Sequence, residues 1–131
     1  MKISLYVIPL LICLVQCCEQ KQGDPLFQKE FTDNLLFFEK CFLADTSDFG
    51  NPIDAQKVKD MIMYLEVITN IRANDFDFEH LAFYGNAHQK SFNKWEKWYK
   101  KNRFIVTKLS TDSLLQESKN ELIMRDQSCN F

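Results

Sequence analysis

The chain of 131 residues is poor in the residues that punctuate loops, with three glycines and three prolines. Gly23, Gly50 and Gly85 stand apart from one another, so no glycine-rich loop exists to cradle a phosphate or a dinucleotide. Histidine is equally scarce. His80 and His88 are not at the close spacing of a zinc pair, and neither belongs to a local signature that sets a base beside Cys41 or a serine. Cationic excess is missing too: 16 lysines and arginines against 18 aspartates and glutamates leave a net charge of −2, which recruits no nucleic acid by a global field. No apolar run reaches the roughly 20 residues that a bilayer-spanning helix needs. The sequence thus offers no catalytic, cofactor-binding or metal-ligating set.

What is abundant is apolar and aromatic material. Hydrophobic residues make up 46% of the chain and aromatic residues 14%, with twelve phenylalanines, enough to fill the core of one small globular domain. The first seventeen residues are a separate object. Lys2 precedes the apolar run "LYVIPLLICLV", whose length is that of a secretory signal, so residues 1–17 are expected to be a signal peptide. The segment "LVQCCEQ" that follows resembles a bacterial lipobox. With Cys18 as the lipidated residue, Val15 is the aliphatic position and Cys17 the small one. With Cys17, the alternative, Leu14 is the aliphatic position but Gln16 is bulky. An ordinary secretory cut before Cys18, giving a secreted product, is the other reading. A multiply acylated cysteine holds a domain at a membrane stably, which one chain does not. Residues 18–24 then form the lipidated cysteine and a polar tether, "EQKQGD", and residues 25–131 a single domain. Its expected location is the bacterial cell envelope, at the periplasmic or outer-membrane face.

The domain reads as helical. Asp24 and Pro25 make an N-cap with proline at the first position, and Phe27, Phe31, Leu35, Phe38 and Phe42 recur at helical spacing to about Leu43. Asn51 and Pro52 signal a second helix, with Val58, Met61, Ile62, Leu65 and Ile68 forming its apolar face to about Arg72. Asn86 caps a third, running to about Asn102. "RFIVTKL" reads as an extended segment or minor strand. Thr111 or Asp112 then caps a last helix, with Leu114, Leu115, Leu122, Ile123 and Met124 as a partial stripe to about Arg125. The fold class is all-α, a small irregular bundle of about four helices.

Two stretches invite a functional reading. "NDFDFE" places Asp75, Asp77 and Glu79 two residues apart, but a calcium loop starting at Asp75 needs glycine where His80 stands and a carboxylate where Asn86 stands. A loop pinned by its two phenylalanines, with its acids in water, fits better. In "SFNKWEKWYKKNR", Phe92, Trp95, Trp98, Tyr99 and Asn102 fall within roughly a third of a helical circumference, with Lys90, Lys94, Lys97 and Lys101 in a separate stripe. Single-strand platforms interleave cations with exposed aromatics, so segregation points to a packed core face. The indole N–H groups should find carbonyl or carboxylate partners.

"YLEVITNI" and "WEKWYKKN" together resemble a Trp-x-x-Trp-Tyr-x-x-Asn arrangement of small bacterial envelope lipoproteins, and more distantly HEAT-like helical segments. The resemblance covers about a third of the chain and implies a helical body and an envelope location, with no catalytic residue. No second copy of the unit is present, so a repeat array is not expected.

Two cysteines remain in the body. An oxidising compartment would allow a Cys41–Cys129 disulfide; the alternative is two free thiols. The functional expectation is a lipid-anchored module that binds an envelope protein or serves a structural role. One alternative is an immunity-type protein that neutralises a toxin, with Asp75, Asp77 and Glu79 meeting a basic partner. Another is an envelope hydrolase using the loop carboxylates.

Overall fold

The computed structural model describes residues 22–44 and 54–128, with side chains up to residue 121. The expected signal segment, Cys17, Cys18, Asn51, Pro52 and Cys129 lie outside these residues. Among the described residues the fold is a small all-α bundle of four helices with one two-stranded hairpin between the second and third.

Helix α1 (Pro25–Phe42) begins as its sequence dictates. The Asp24 carboxylate accepts hydrogen bonds from the N–H groups of Leu26 at 2.9 Å and Phe27 at 3.3 Å, and Pro25 occupies the first turn. The stripe Phe27, Phe31, Leu35 and Phe38 is buried. Each fully buried phenylalanine contributes about 1.5–3 kcal/mol of transfer free energy, so this face alone is a large part of the driving force.

Helix α2 (Ala55–Thr69) starts later than Asn51 and Pro52 suggest. Asp54 itself is the cap, its carboxylate accepting from Gln56 N at 2.9 Å and Lys57 N at 3.3 Å. The helix also ends before Arg72, because Asn70 adopts a left-handed conformation. Thr69 Oγ1 accepts from Ile71 N and Glu66 accepts from Ala73 N, fixing the exit. Val58, Met61, Ile62, Leu65 and Ile68 face inward as their spacing predicts.

The segment read as a loop is instead a hairpin. Strand β1 (Phe76–Asp77) pairs antiparallel with β2 (Ala82–Phe83), Phe76 opposite Phe83 and Asp77 opposite Ala82. Helix α3 (Ala87–Asn102) follows, with Asn86 at the cap position but without a side-chain capping bond.

"RFIVTKL" is not a strand. Residues 103–105 turn, with Ile105 N and Val106 N both bonded to Asn102 O, and α4 (Lys108–Ser128) begins at Lys108. The start precedes Thr111 because Thr107 and Ser110 cap it reciprocally: Ser110 N donates to Thr107 Oγ1, and Thr107 N donates to Ser110 Oγ, both at 3.2 Å. Thr111 is fully buried and donates to Lys108 O at 2.8 Å. In the expected stripe Leu115 packs on the core, whereas Leu114 is exposed and the side chains of Leu122, Ile123 and Met124 are outside the description.

Helices α1 and α2 each touch the other three described helices. The C-terminal end of α1 carries the hairpin, since Phe42 packs edge-on against Phe76 and Phe83 with ring centroids 6.0 and 5.1 Å apart. Its N-terminal end meets the α3–α4 turn, where Asp24 accepts from Lys108 N at 2.7 Å and Gln28 donates to Arg103 O at 3.2 Å. At 1.5 Å per residue, the 18 residues of α1 hold these ends about 27 Å apart.

Candidate functional site

The hairpin is held in place by identifiable contacts. Phe76 and Phe83 anchor its inner face, and Phe83 also lies edge-on to Phe38 at 5.6 Å. Tyr84 N donates to Asp75 O at 3.1 Å, closing the hairpin at its base. Asp75, Leu81 and Gly85 have positive φ values of 59°, 51° and 59°. The leucine pays about 1–2 kcal/mol for that conformation and keeps it because its side chain packs on the core.

Asp77 organises the tip. Its carboxylate accepts from Glu79 N at 2.8 Å, His80 N at 3.1 Å and Tyr84 Oη at 3.0 Å, with His80 Nδ1 at 2.8 Å. A carboxylate only accepts, so this arrangement places a proton on Nδ1. The His80 side chain first, then the two backbone N–H groups and Tyr84, hold the Asp77 carboxyl far below the usual carboxylate range. Asp77 therefore departs from the expected water-facing acid: its bonding capacity is consumed within the hairpin. Asp75 and Glu79 remain exposed. Of the two phenylalanines expected to pin the segment, Phe76 packs on the core, whereas Phe78 lies edge-on against Phe76 at 4.8 Å and stays 44% exposed; Tyr84, bonded to Asp77, is 66% exposed.

The aromatic face of α3 is packed inward. Trp95 is fully buried, edge-on to Phe38 at 5.3 Å, and its Nε1 donates to Ile71 O at 3.0 Å, the carbonyl partner the sequence calls for. Trp98 is half-buried and stacks on Phe31 at 5.5 Å, as does Tyr99 at 5.0 Å. Lys90, Lys94, Lys97 and Lys101 are exposed.

A charged clasp escapes sequence reasoning. Lys108 Nζ lies 2.9 Å from Glu30 and is also bonded to Asp112, and Tyr64 Oη donates to Glu30 at 3.2 Å. These groups join α1, α2 and α4 at one end of a cleft of about 580 Å³ that runs past Phe37, Lys57 and Met61. Asp112 and then Glu30 raise the Lys108 pKa, while burial and then Glu30 hold the proton on Tyr64. Both are therefore poor bases near neutral pH, and the geometry is that of a tie between helices. The residues are 34 and 78 positions apart, so no local pattern announces them.

Cys41 sits in the last turn of α1 as a half-buried thiol whose pKa is raised by desolvation. Among the described residues no group of three or more metal-ligating side chains gathers, and no helix is long and apolar enough to cross a membrane. No family model, no curated protein and no solved structure matches the chain.

Proposed function

We propose that the protein is a lipid-anchored module of the bacterial envelope that binds a protein partner through the hairpin between α2 and α3. The observation that carries this reading is the division of labour along the hairpin. Asp77 bonds within it and fixes the backbone, while Phe78 and Glu79 at the tip and Tyr84 and Asp75 at the base are exposed, Phe78 by 44% and Tyr84 by 66%. Rigid aromatic side chains on a preorganised backbone lose little entropy on binding and form the centres of protein interfaces. Acids around them favour a basic partner, which suits the immunity-type version of the reading, a toxin-neutralising protein.

The hydrolase alternative fits less well. Both carboxylate oxygens of Asp77 are already bonded within the hairpin, by the N–H groups of Glu79 and His80, by His80 Nδ1 and by Tyr84 Oη, so this acid is occupied structurally. The anchor is supported by the Val15–Cys18 lipobox resemblance, with Cys17 as the alternative modified residue.

Purification from detergent-solubilised membranes tests the binding reading. A partner should accompany the wild-type chain and be lost from Phe78→Ser/Glu79→Lys, with an unchanged circular dichroism spectrum. Recovery of a bare monomer that hydrolyses an envelope polymer would defeat it. Radiolabelled palmitate should enter the wild type and not Cys18→Ala; an unlabelled, freely secreted product would defeat the anchor.

A further inference from the structure

The end of the bundle opposite the hairpin combines three features that the partner-binding reading does not use. The first is exposed apolar surface. In and just after the α3–α4 turn, Phe104 is 44%, Ile105 71% and Leu109 78% exposed. Scattered single apolar residues are ordinary on a surface, but three large ones within six positions are a local concentration. The second is charge. Arg103 and Lys101 lie at the same end, the Arg103 guanidinium 4.7 Å over the Phe104 ring, and neither forms an ion pair among the described residues. The nearby acids are otherwise engaged: Asp24 accepts from three backbone N–H groups, and Glu30 and Asp112 share Lys108.

The third feature is where the chain comes in. Gly23 packs directly on the turn, so closely that a β-carbon there would collide with the Arg103 carbonyl oxygen. Only four peptide steps separate Cys18 from Gln22, a reach of at most about 14 Å, or about 18 Å from Cys17. The polar headgroup layer on each side of a bilayer is itself about 5–7 Å thick. An acyl anchor at either cysteine therefore holds this end of the bundle close to the membrane surface.

We infer that the α3–α4 turn is a second membrane contact, at which Phe104, Ile105 and Leu109 enter the headgroup–acyl boundary while Arg103 and Lys101 meet anionic headgroups. This rests on the lipid-anchor reading, and the occupant is the bilayer that holds the anchor. Interfacial segments bury their apolar side chains about 5–10 Å into that boundary, and cations beside them add attraction to anionic lipid. The anchor supplies a high effective concentration, so a small apolar patch suffices. Because α1 separates the two ends by about 27 Å, the same contact would present the hairpin away from the membrane.

The test uses the full lipidated chain reconstituted into vesicles of phosphatidylethanolamine and phosphatidylglycerol, with and without bromine on the acyl chains. Ile105→Trp and, separately, Leu109→Trp report the turn, and Phe78→Trp reports the hairpin. Brominated lipid should lower the added emission at positions 105 and 109 by about twofold, as expected for a side chain at the acyl boundary, and leave that at position 78 unchanged. Palmitate incorporation is measured on the same preparations. Palmitate label without quenching at either turn position overturns the membrane contact and leaves the anchor standing; no label and no quenching overturns both. Equal quenching at 78 and 105, or shielding of 105 by a partner protein or a second copy in place of lipid, also overturns the inference.

Discussion

Replacing Trp95 by alanine should be among the most damaging single changes in the bundle. The side chain is fully buried, meets Phe38 edge-on at 5.3 Å and donates its indole N–H to Ile71 O at 3.0 Å. Truncating such a residue removes its transfer free energy and leaves a cavity, together about 4 kcal/mol. The Ile71 carbonyl also loses its side-chain partner. Trp98 is a control of the same chemistry: it stacks on Phe31 but is only half-buried, so Trp98→Ala should cost about 2 kcal/mol. Lys94 is exposed, and Lys94→Ala should stay within about 0.5 kcal/mol. At a urea slope of about 2 kcal/mol per molar, the midpoints followed by circular dichroism should fall by about 2 M for Trp95→Ala and about 1 M for Trp98→Ala. Equal losses at the two tryptophans, or a Trp95→Ala midpoint matching the wild type, would refute the assignment of Trp95 to the core.

The clasp sets a pH dependence. Lys108 has a folded pKa above its usual 10.5, so its contribution is complete below that value and disappears as pH rises through the folded pKa. Lys108→Met should cost about 1 kcal/mol in urea melts at pH 7 and 9, the gap narrowing above pH 10.5; a constant gap would show that the charge is irrelevant. Asp77 has the opposite sign: its folded pKa lies below 3.8, so its contribution is present above that value and is lost only as pH falls through the folded pKa. The side-chain carboxyl carbon shift of Asp77 should therefore be steady as pH falls to 3.8 and move only below it; a midpoint at or above 3.8 would contradict the bonding seen. Gly23→Ala should lower the melting temperature through collision with the Arg103 carbonyl, at a cost of about 1–3 kcal/mol; an unchanged melt would mean the segment is not seated on the turn. As a free thiol, Cys41 should alkylate slowly in the native state because its thiolate is disfavoured; in the oxidised, unfolded chain, two reactive body thiols would decide for the free-thiol alternative over a Cys41–Cys129 bond.

The helices were legible because their signals are periodic and local. Phe27, Phe31, Leu35 and Phe38 announce the inner face of α1, and Trp95 the inner face of α3, by spacing alone. Boundaries were less legible where two caps compete. Asn51–Pro52 reads as the start of α2, yet an aspartate three positions on can cap as well, and the Asp54 side-chain bonds mark where α2 begins among the described residues. The hairpin was hidden although Asp75 to Glu79 alternates acid and phenylalanine, because strands of only two residues are too short to separate from a loop by pattern. Among the candidate acids, the distinct bonding of Asp77 was not legible, because it depends on Tyr84 folding back across seven positions. The clasp of Glu30, Tyr64 and Lys108 was invisible for the same reason at longer range. The exposed turn at Phe104 and Ile105 looked like a strand because β-branched and aromatic residues favour strands wherever they are, including at a corner.

The most direct measurement of the central claim is photo-crosslinking in intact cells from a reactive residue placed at position 78 or, for comparison, at position 94. With the hairpin as the partner surface, position 78 should give one discrete adduct with an envelope protein, lost on Glu79→Lys, and position 94 should give none. The same adduct from both positions, or none from position 78 while the chain remains membrane-bound, would contradict it.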